Sequence, residues 1–254
     1  ANVEMAGISE TFFNRRRPPD GRVIIGYASG TPTHSRDFAL VAPALRQLLR
    51  AHSQAELWVI GHLHLDDSWR EFGARVRTFN AVKWRDLPAR LADLDINLAP
   101  LAQDNPFSQS KSEIKWMEAA LVGVPTIASA TDAFQYAIRD GQNGLLVHTD
   151  ADWLPALERL LDADFRQRLG AAARDAALAG YLPLQRARDA LNLLNNTAAG
   201  LNLAERWQFR PLLKGSLGAY AFTAAEEKEP SLWQMGLYNL RQRGAGVLAR
   251  RVLI

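Results

Sequence analysis

The chain has 254 residues, of which 48% are hydrophobic and 22% are charged, and its formal net charge at pH 7 is +3. This composition is that of a globular protein, long enough for one large or two modest domains with a sizeable core. The charge is too small to indicate a nucleic-acid partner. No run approaches the ~20 apolar residues of a membrane-spanning helix, and the absence of cysteine excludes disulfides and thiolate metal sites.

The first 21 residues are predicted to be a linker, because the run NRRRPPDG has no periodicity and ends in turn formers. Beyond them, short apolar runs alternate with amphipathic segments. The apolar runs are predicted to be strands, at residues 22–28, 55–61, 74–80, 96–101, 124–129 and 143–149. The amphipathic segments are predicted to be helical, at residues 36–52, 87–95, 111–122, 132–140 and, as two helices, 151–178.

Most of the predicted strands are β-branched or leucine-rich without polar alternation, which is typical of a parallel sheet covered on both faces. The sequence therefore predicts an α/β fold, with a doubly wound parallel sheet over 22–180 and a helical extension over 181–254. Ligands of such sheets bind beyond the carboxyl ends of the strands. Loops rich in polar residues are expected there, at 29–37, 102–111 and 129–132.

The segment SKSE, residues 110–113, matches a capping box with Ser110 as N-cap and Glu113 three residues on. The first free N–H groups of the helix would then belong to Lys111, Ser112 and Glu113, and such a helix start attracts phosphate. Lys111 adds a positive charge that the helix dipole disfavours, which is easier to understand if an anion binds there. The alternative is a solvated helix start, because many exposed first turns carry a lysine.

A helical wheel places Lys115 and Glu118 on one flank of the apolar stripe formed by Ile114, Met117 and Leu121. Glu118 is then either an ion-pair partner of Lys115 or an acceptor for a ligand. For an isolated helix, the ion pair is the favoured interpretation.

Four segments of this chain together carry a resemblance to a known family: IGYASGTPTHSRDF, LPARLADLDINLAPL, NPFSQSKSEIKWMEAALVGVPTIAS and AIRDGQNGLLV. In order and spacing they resemble the C-terminal half of GT-B fold retaining glycosyltransferases, the large family of sucrose synthase, bacterial mannosyltransferases and lipopolysaccharide glucosyltransferases. The resemblance covers about residues 22–178. It implies a Rossmann-like domain that binds a nucleotide-diphosphate sugar and serves sugar transfer, with retention, in glycan or polysaccharide biosynthesis.

The resemblance also implies roles for single residues. Glu118 falls on the second glutamate of the family motif, which accepts the ribose hydroxyls. Lys111 and Arg36 are implied to neutralise the diphosphate and to act in catalysis. The remaining implied donor contacts lie in the neighbouring loops, at Gly30, Thr31, His34, Trp84, Gln109, Ser110 and Ser112.

Two positions depart from the family pattern. Ser110 stands where the first motif glutamate is expected, with Gln109 as the nearest polar alternative. Tyr27 stands where an arginine commonly follows the glycine of the first strand, and His34 is the candidate to compensate for it. The alternative function is therefore a non-catalytic nucleotide-binding or structural α/β module with a decayed donor site. A nucleotide-sugar epimerase on the same architecture is disfavoured, because it needs a carboxylate at the sugar.

The expected partners are the sugar donor, a carbohydrate or lipid-linked acceptor, and an N-terminal GT-B domain. A GT-B active site lies between two doubly wound domains, and 254 residues are too few for both. The chain is therefore expected to be an inactive fragment, with residues 1–21 as the linker from the missing half. Neither a metal nor a cofactor is expected. The run GHLHLDD, residues 61–67, could place His62, His64 and Asp66 on one side of an extended segment as metal ligands. It is interpreted as a polar strand end, because the sequence offers no fourth metal ligand at a known spacing.

The absence of cysteine and of a signal peptide predicts a cytoplasmic protein. Residues 230–254 combine apolar residues at helical spacing with four arginines. The favoured interpretation is a helix that braces the N-terminal domain. The alternative is peripheral contact with the inner face of the membrane.

Overall fold

A computed structural model of the chain describes residues 2–13, 20–30, 35–102 and 111–200. Its strands form one sheet in which every pairing is parallel, as the sequence predicted. The strands are β1 (Val23–Ser29), β2 (Ala55–Gly61), β3 (Val76–Phe79), β4 (Ile96–Ala99), β5 (Thr126–Ser129) and β6 (Leu145–Val147). Their order in the sheet is β3-β2-β1-β4-β5-β6, so the α/β doubly wound prediction is confirmed.

Helices connect these strands. They are α1 (Asn2–Phe13), α2 (Ser35–Ala51), α3 (Leu87–Ala92), α4 (Ile114–Leu121), α5 (Asp132–Ala137), α6 (Trp153–Arg159), α7 (Ala163–Tyr181) and α8 (Pro183–Gly200). Short 3₁₀ segments lie at Asp67–Arg75 and Asp150–Asp152.

The helices cover both faces of the sheet, because neighbouring residues of β1 enter different cores. Val23 and Ile25 pack in a cluster with α2 and α6, whereas Ile24 packs in a cluster with α3 and α4. Alternation of this kind places the two clusters on opposite faces of the strand. The chain direction across the sheet reverses between β1 and β4, which is where a doubly wound sheet opens a crevice for ligands.

Residues 2–13 are helical, which the sequence analysis did not anticipate for the segment that it assigned to a linker. Helix α1 packs against α3 and α4. Arg174 on α7 forms an ion pair with Glu10 and lies 4.0 Å from the centre of the Phe13 ring. Apolar and polar residues are mixed around α1, so no helical period marked it in the sequence. Its role as a connection from another domain stays a prediction.

The compact unit that contains the sheet extends to Leu193. The predicted helical extension is described as far as α8. The predictions for residues 230–254, a brace or a membrane contact, lie outside the described residues. Within the part that is described, no helix has the length and apolar character needed to cross a bilayer.

A tight approach of α7 to the turn after α4 leads to a first prediction. A Cβ at Gly170 would overlap the carbonyl oxygen of Gly123. Gly170→Ala is therefore expected to lower stability by about 2 kcal/mol through overpacking, which for a domain of this size lowers the melting temperature by roughly 4–8 °C. Gly180→Ala is the control on the same helix, because a Cβ there has nothing within 4 Å, and it should be neutral or slightly stabilising. Equal melting temperatures for the two variants would contradict the close packing.

Candidate functional site

The predicted ligand crevice lies at the carboxyl ends of β1 and β4, where α2 and the segment before α4 begin. Of the predicted donor contacts, four fall outside the described residues: Thr31, His34, Gln109 and Ser110. The others are described: Lys111 precedes α4 and Glu118 lies on it.

Asp37, in the first turn of α2, is the central buried charge of the crevice, with 4% of its side chain exposed. One carboxylate oxygen accepts from the Ala102 N–H at 3.0 Å, and the other lies 3.0 Å from the Lys111 ammonium. Asp37 therefore joins α2 to the end of β4 and to the start of the α4 segment. Sequence reasoning missed it, because an acidic residue in a first turn is explained by the helix dipole without any partner.

Lys111 lies in the extended segment before α4, with about a quarter of its side chain exposed, and it is paired with Asp37. The sequence analysis expected its charge to be compensated by a bound anion. The structure shows a protein carboxylate in that role, so the position of Lys111 is fixed before any ligand arrives.

The capping-box prediction was wrong. Helix α4 begins at Ile114, and Glu113 is its N-cap residue without a side-chain capping bond. The Glu113 carboxylate instead accepts from the Tyr181 hydroxyl of α7 at 2.6 Å. The backbone N–H groups at the helix start therefore belong to Ile114 and Lys115, and the predicted Lys111 and Ser112 precede the helix.

Lys115, at the second position of α4, has its ammonium nitrogen buried 4.5 Å from the centre of the Tyr27 ring. Of the described residues, none accepts a hydrogen bond from it. Burial lowers the pKa of Lys115 to about 8; the charge of Asp37 opposes this effect, and that of Lys111 adds to it. Burying a cation without a hydrogen-bond acceptor costs folding free energy.

Glu118 lies nearly one turn further along α4 and is largely buried. Burial raises the pKa of Glu118 to about 7, against the opposing positive charge of Lys115. The two residues form no hydrogen-bonded ion pair, so the stabilising salt bridge considered from sequence is not present. The crevice thus holds a carboxyl group that is ionised only near and above neutral pH.

The remaining predicted residues lie in loops and at a helix start of the sheet domain. Gly30 directly follows β1, Arg36 is the second residue of α2 and Ser112 precedes α4, and all three are exposed. Trp84 follows β3, two strands from β1, which is roughly 10 Å across the sheet. Trp84 is 37% exposed, and the Arg85 guanidinium lies 4.4 Å from the centre of its ring.

Tyr27, at the position where the resemblance expects an arginine, is completely buried and packs against Phe38 of α2, with ring centres 5.1 Å apart. Burial raises the pKa of its hydroxyl, so it is neutral at physiological pH. Tyr27 contributes an aromatic face to the crevice instead of a charge.

Among the described residues, no group of three or more His, Asp or Glu side chains is arranged to hold a metal ion. Asp66, in the predicted polar strand end, instead caps the 3₁₀ segment by accepting from the Ser68 N–H at 2.9 Å.

Comparison with known proteins gives matches for the sheet domain. Residues 22–163 match the family described as Glycosyl transferases group 1. The chain is 36% identical over 121 residues to the D-inositol 3-phosphate glycosyltransferase of Nocardia farcinica. The aligned segment covers 46% of this chain and 25% of that protein. The chain thus spans about a quarter of the length of that curated relative.

Solved structures show the same fold. The crystal structure of Anabaena Alr3699/HepE in complex with UDP and glucose gives a TM-score of 0.56 at 16% identity, over 76% of this chain and 52% of that chain. The crystal structure of WaaG, a glycosyltransferase involved in lipopolysaccharide biosynthesis, gives a TM-score of 0.54 at 17% identity, over 72% of this chain and 50% of that chain. The sheet therefore has the Rossmann-like architecture of a GT-B domain. Because the family match covers more than half of its residues, this chain belongs to the glycosyl transferases group 1 family.

Proposed function

We propose that this chain is the donor-binding part of a retaining, hexosyltransferase-type glycosyltransferase. It holds a nucleotide-diphosphate sugar between α2 and α4, and the sugar passes to a carbohydrate or lipid-linked acceptor in glycan or polysaccharide biosynthesis. The observation that carries the proposal is the charge cluster at the crevice, in which Asp37 binds Lys111 and the charges of Asp37, Lys111 and Glu118 all act on Lys115. Family membership supports it.

The cations of the crevice have a defined part in this proposal. Breaking the sugar–diphosphate bond places additional negative charge on the departing diphosphate, and fixed positive groups stabilise that charge. Lys111, held by Asp37, and Arg36 at the start of α2 supply them. The N–H groups at the start of α4 add a favourable dipole. The proposal therefore includes no metal and no cofactor.

Glu118 is proposed to accept hydrogen bonds from the ribose hydroxyls, with Trp84 beside the nucleobase. Glu118→Gln is then expected to weaken binding of a nucleoside and of its diphosphate by tenfold or more, because a hydrogen bond to a charged group contributes about 1.5–3 kcal/mol. Calorimetric titration measures both affinities. Glu158→Gln is the control, since Glu158 is exposed on α6, and its affinities should equal those of the parent.

The raised pKa of Glu118, about 7, adds a pH dependence. The parent is expected to bind nucleoside more weakly at pH 6, where Glu118 is protonated, than at pH 8, where it is ionised. Glu118→Gln should lose this dependence. At pH 8 the melting temperature of Glu118→Gln should not be lower than that of the parent, because burial disfavours the charge that the substitution removes. A structural role for Glu118 would give the reverse: a lower melting temperature and unchanged affinities.

The donor is found by titrating the chain with UDP, GDP, dTDP and ADP sugars. The Anabaena structure contains UDP and glucose, which makes UDP-glucose the first to test. If none binds, the proposal fails and the non-catalytic module with a decayed donor site takes its place.

The chain is expected to bind its donor without transferring sugar, because acceptor recognition in the GT-B architecture belongs mostly to the second domain. The chain spans about a quarter of its curated relative, which supports this expectation. A transfer assay on the 254-residue chain, with and without the N-terminal domain of the same protein, tests it. Robust transfer by the chain on its own would refute the requirement for a partner domain.

A further inference from the structure

The Lys115 ammonium is an unexplained buried cation. It lies at the start of a helix, where the dipole disfavours positive charge, and its nitrogen is shielded from solvent. No described residue accepts a hydrogen bond from it. The Tyr27 ring lies 4.5 Å from it, but a cation–π contact does not replace the three hydrogen bonds that an ammonium makes in water.

Charged groups act on Lys115 from α2, from the segment before α4 and from α4 itself. Asp37 faces it from α2, but that carboxylate already binds the Ala102 N–H and Lys111. Lys111 adds a like charge from the segment before α4, Tyr27 on β1 is neutral, and Glu118 on α4 is partly protonated at neutral pH. Among the described residues, Lys115 thus has no carboxylate of its own to hydrogen-bond to.

We propose that Lys115 is a direct second contact for the diphosphate of the sugar donor, whose oxygens supply the hydrogen-bond acceptors that the described residues do not. This inference rests on the proposed function. It assigns to α4 a cation that the resemblance expects from β1, where Tyr27 stands. The face of the Tyr27 ring contacts the Lys115 ammonium without accepting a conventional hydrogen bond from it. The N–H groups of the ammonium therefore stay available to the diphosphate.

A consequence of this contact is proton uptake. Burial lowers the pKa of Lys115 to about 8, so at pH 8.5 roughly three-quarters of the Lys115 side chains are neutral. A bound diphosphate favours the charged form and raises that pKa. Binding at pH 8.5 should therefore take up roughly half a proton or more. Glu118, with a pKa of about 7, is ionised at this pH and contributes little.

The test compares the parent with Lys115→Met, which keeps the length and packing of the side chain but removes its charge. Titrations use the tightest-binding diphosphate among UDP, GDP, dTDP and ADP, and the corresponding nucleoside. At pH 7, Lys115→Met should lose tenfold or more of its affinity for the diphosphate, and much less for the nucleoside, whose binding depends on Lys115 only through the ionisation of Glu118. Repeating the diphosphate titration at pH 8.5 in buffers of different ionisation enthalpy should show proton uptake by the parent and none by Lys115→Met. Arg70→Met, which removes a cation that is 81% exposed, should match the parent throughout.

The outcomes separate this inference from the proposed function. If the parent binds the diphosphate but Lys115→Met binds it equally well with equal proton uptake, Lys115 is not a contact, and the donor site stands without it. Equal losses for diphosphate and nucleoside would also overturn the inference, because they indicate a collapsed crevice. A parent that binds no diphosphate at all would refute the proposed function itself.

Discussion

Lys111→Met is expected to destabilise the fold by about 3 kcal/mol, in addition to weakening diphosphate binding. The substitution leaves the buried Asp37 carboxylate with the Ala102 N–H as its remaining described hydrogen-bond partner. Removing one member of a buried ion pair costs about 3–5 kcal/mol, and the partial exposure of Lys111 argues for the lower end. For a domain of this size the melting temperature should fall by roughly 6–12 °C.

A double-mutant cycle tests the mechanism of that loss. Asp37→Asn keeps an oxygen for the Ala102 N–H but removes the negative charge, so the double variant Lys111→Met, Asp37→Asn leaves no unpaired carboxylate at position 37. It should recover most of the stability that Lys111→Met loses, with a coupling energy of about 1 kcal/mol or more. Additive losses in thermal melts would show that Lys111 and Asp37 act independently. In that case the ion pair at 3.0 Å is not what holds the crevice together.

This prediction changes how ligand binding by Lys111 variants has to be measured. From the sequence, Lys111 was expected to bind an anion or to lie in a solvated helix start. The ion pair with Asp37 makes Lys111 a structural residue as well. Affinities of Lys111 variants are therefore meaningful only well below their melting temperatures, whereas Glu118→Gln is free of this complication.

The sheet could be predicted from the sequence because each strand carries its own signal. Runs such as VIIGYA and LWVIG contain no charged residue, and a strand buried on both faces requires this. The position of the site followed from the same pattern, since a doubly wound sheet opens its crevice at the carboxyl ends of the strands. Glu118 was placed on its helix by the family motif.

The details of the crevice could not be predicted, because they depend on contacts between residues that are distant in sequence. Asp37 and Lys111 are 74 positions apart, and no local pattern links them. Glu113 matched a capping box, but Tyr181, 68 positions away, binds its carboxylate instead. Helix α1 has mixed polarity and is held by its packing against α3, α4 and α7. In each case a tertiary contact outweighed the local sequence signal.

Lys115→Met is expected to stabilise the ligand-free protein, which is the opposite of its effect on diphosphate binding. The difference between the ordinary lysine pKa of 10.5 and the value of about 8 in the fold corresponds to about 3 kcal/mol against the charged form. The substitution also loses a cation–π contact with Tyr27, worth about 1 kcal/mol. A net gain of about 2 kcal/mol should raise the melting temperature at pH 6 by roughly 4–8 °C.

The pH dependence of this gain identifies its cause. A lysine whose pKa is lowered by folding contributes stability that is present above its unfolded pKa of 10.5 and lost as the pH falls through about 8. The advantage of Lys115→Met should therefore be full at pH 6, where Glu118 is protonated and does not interfere, and should shrink as the pH rises from 8 toward 10. Melts of both proteins across this range measure it. An advantage that is constant with pH would indicate better packing by methionine, and a loss of stability at pH 6 would show that Lys115 serves the fold and not the donor.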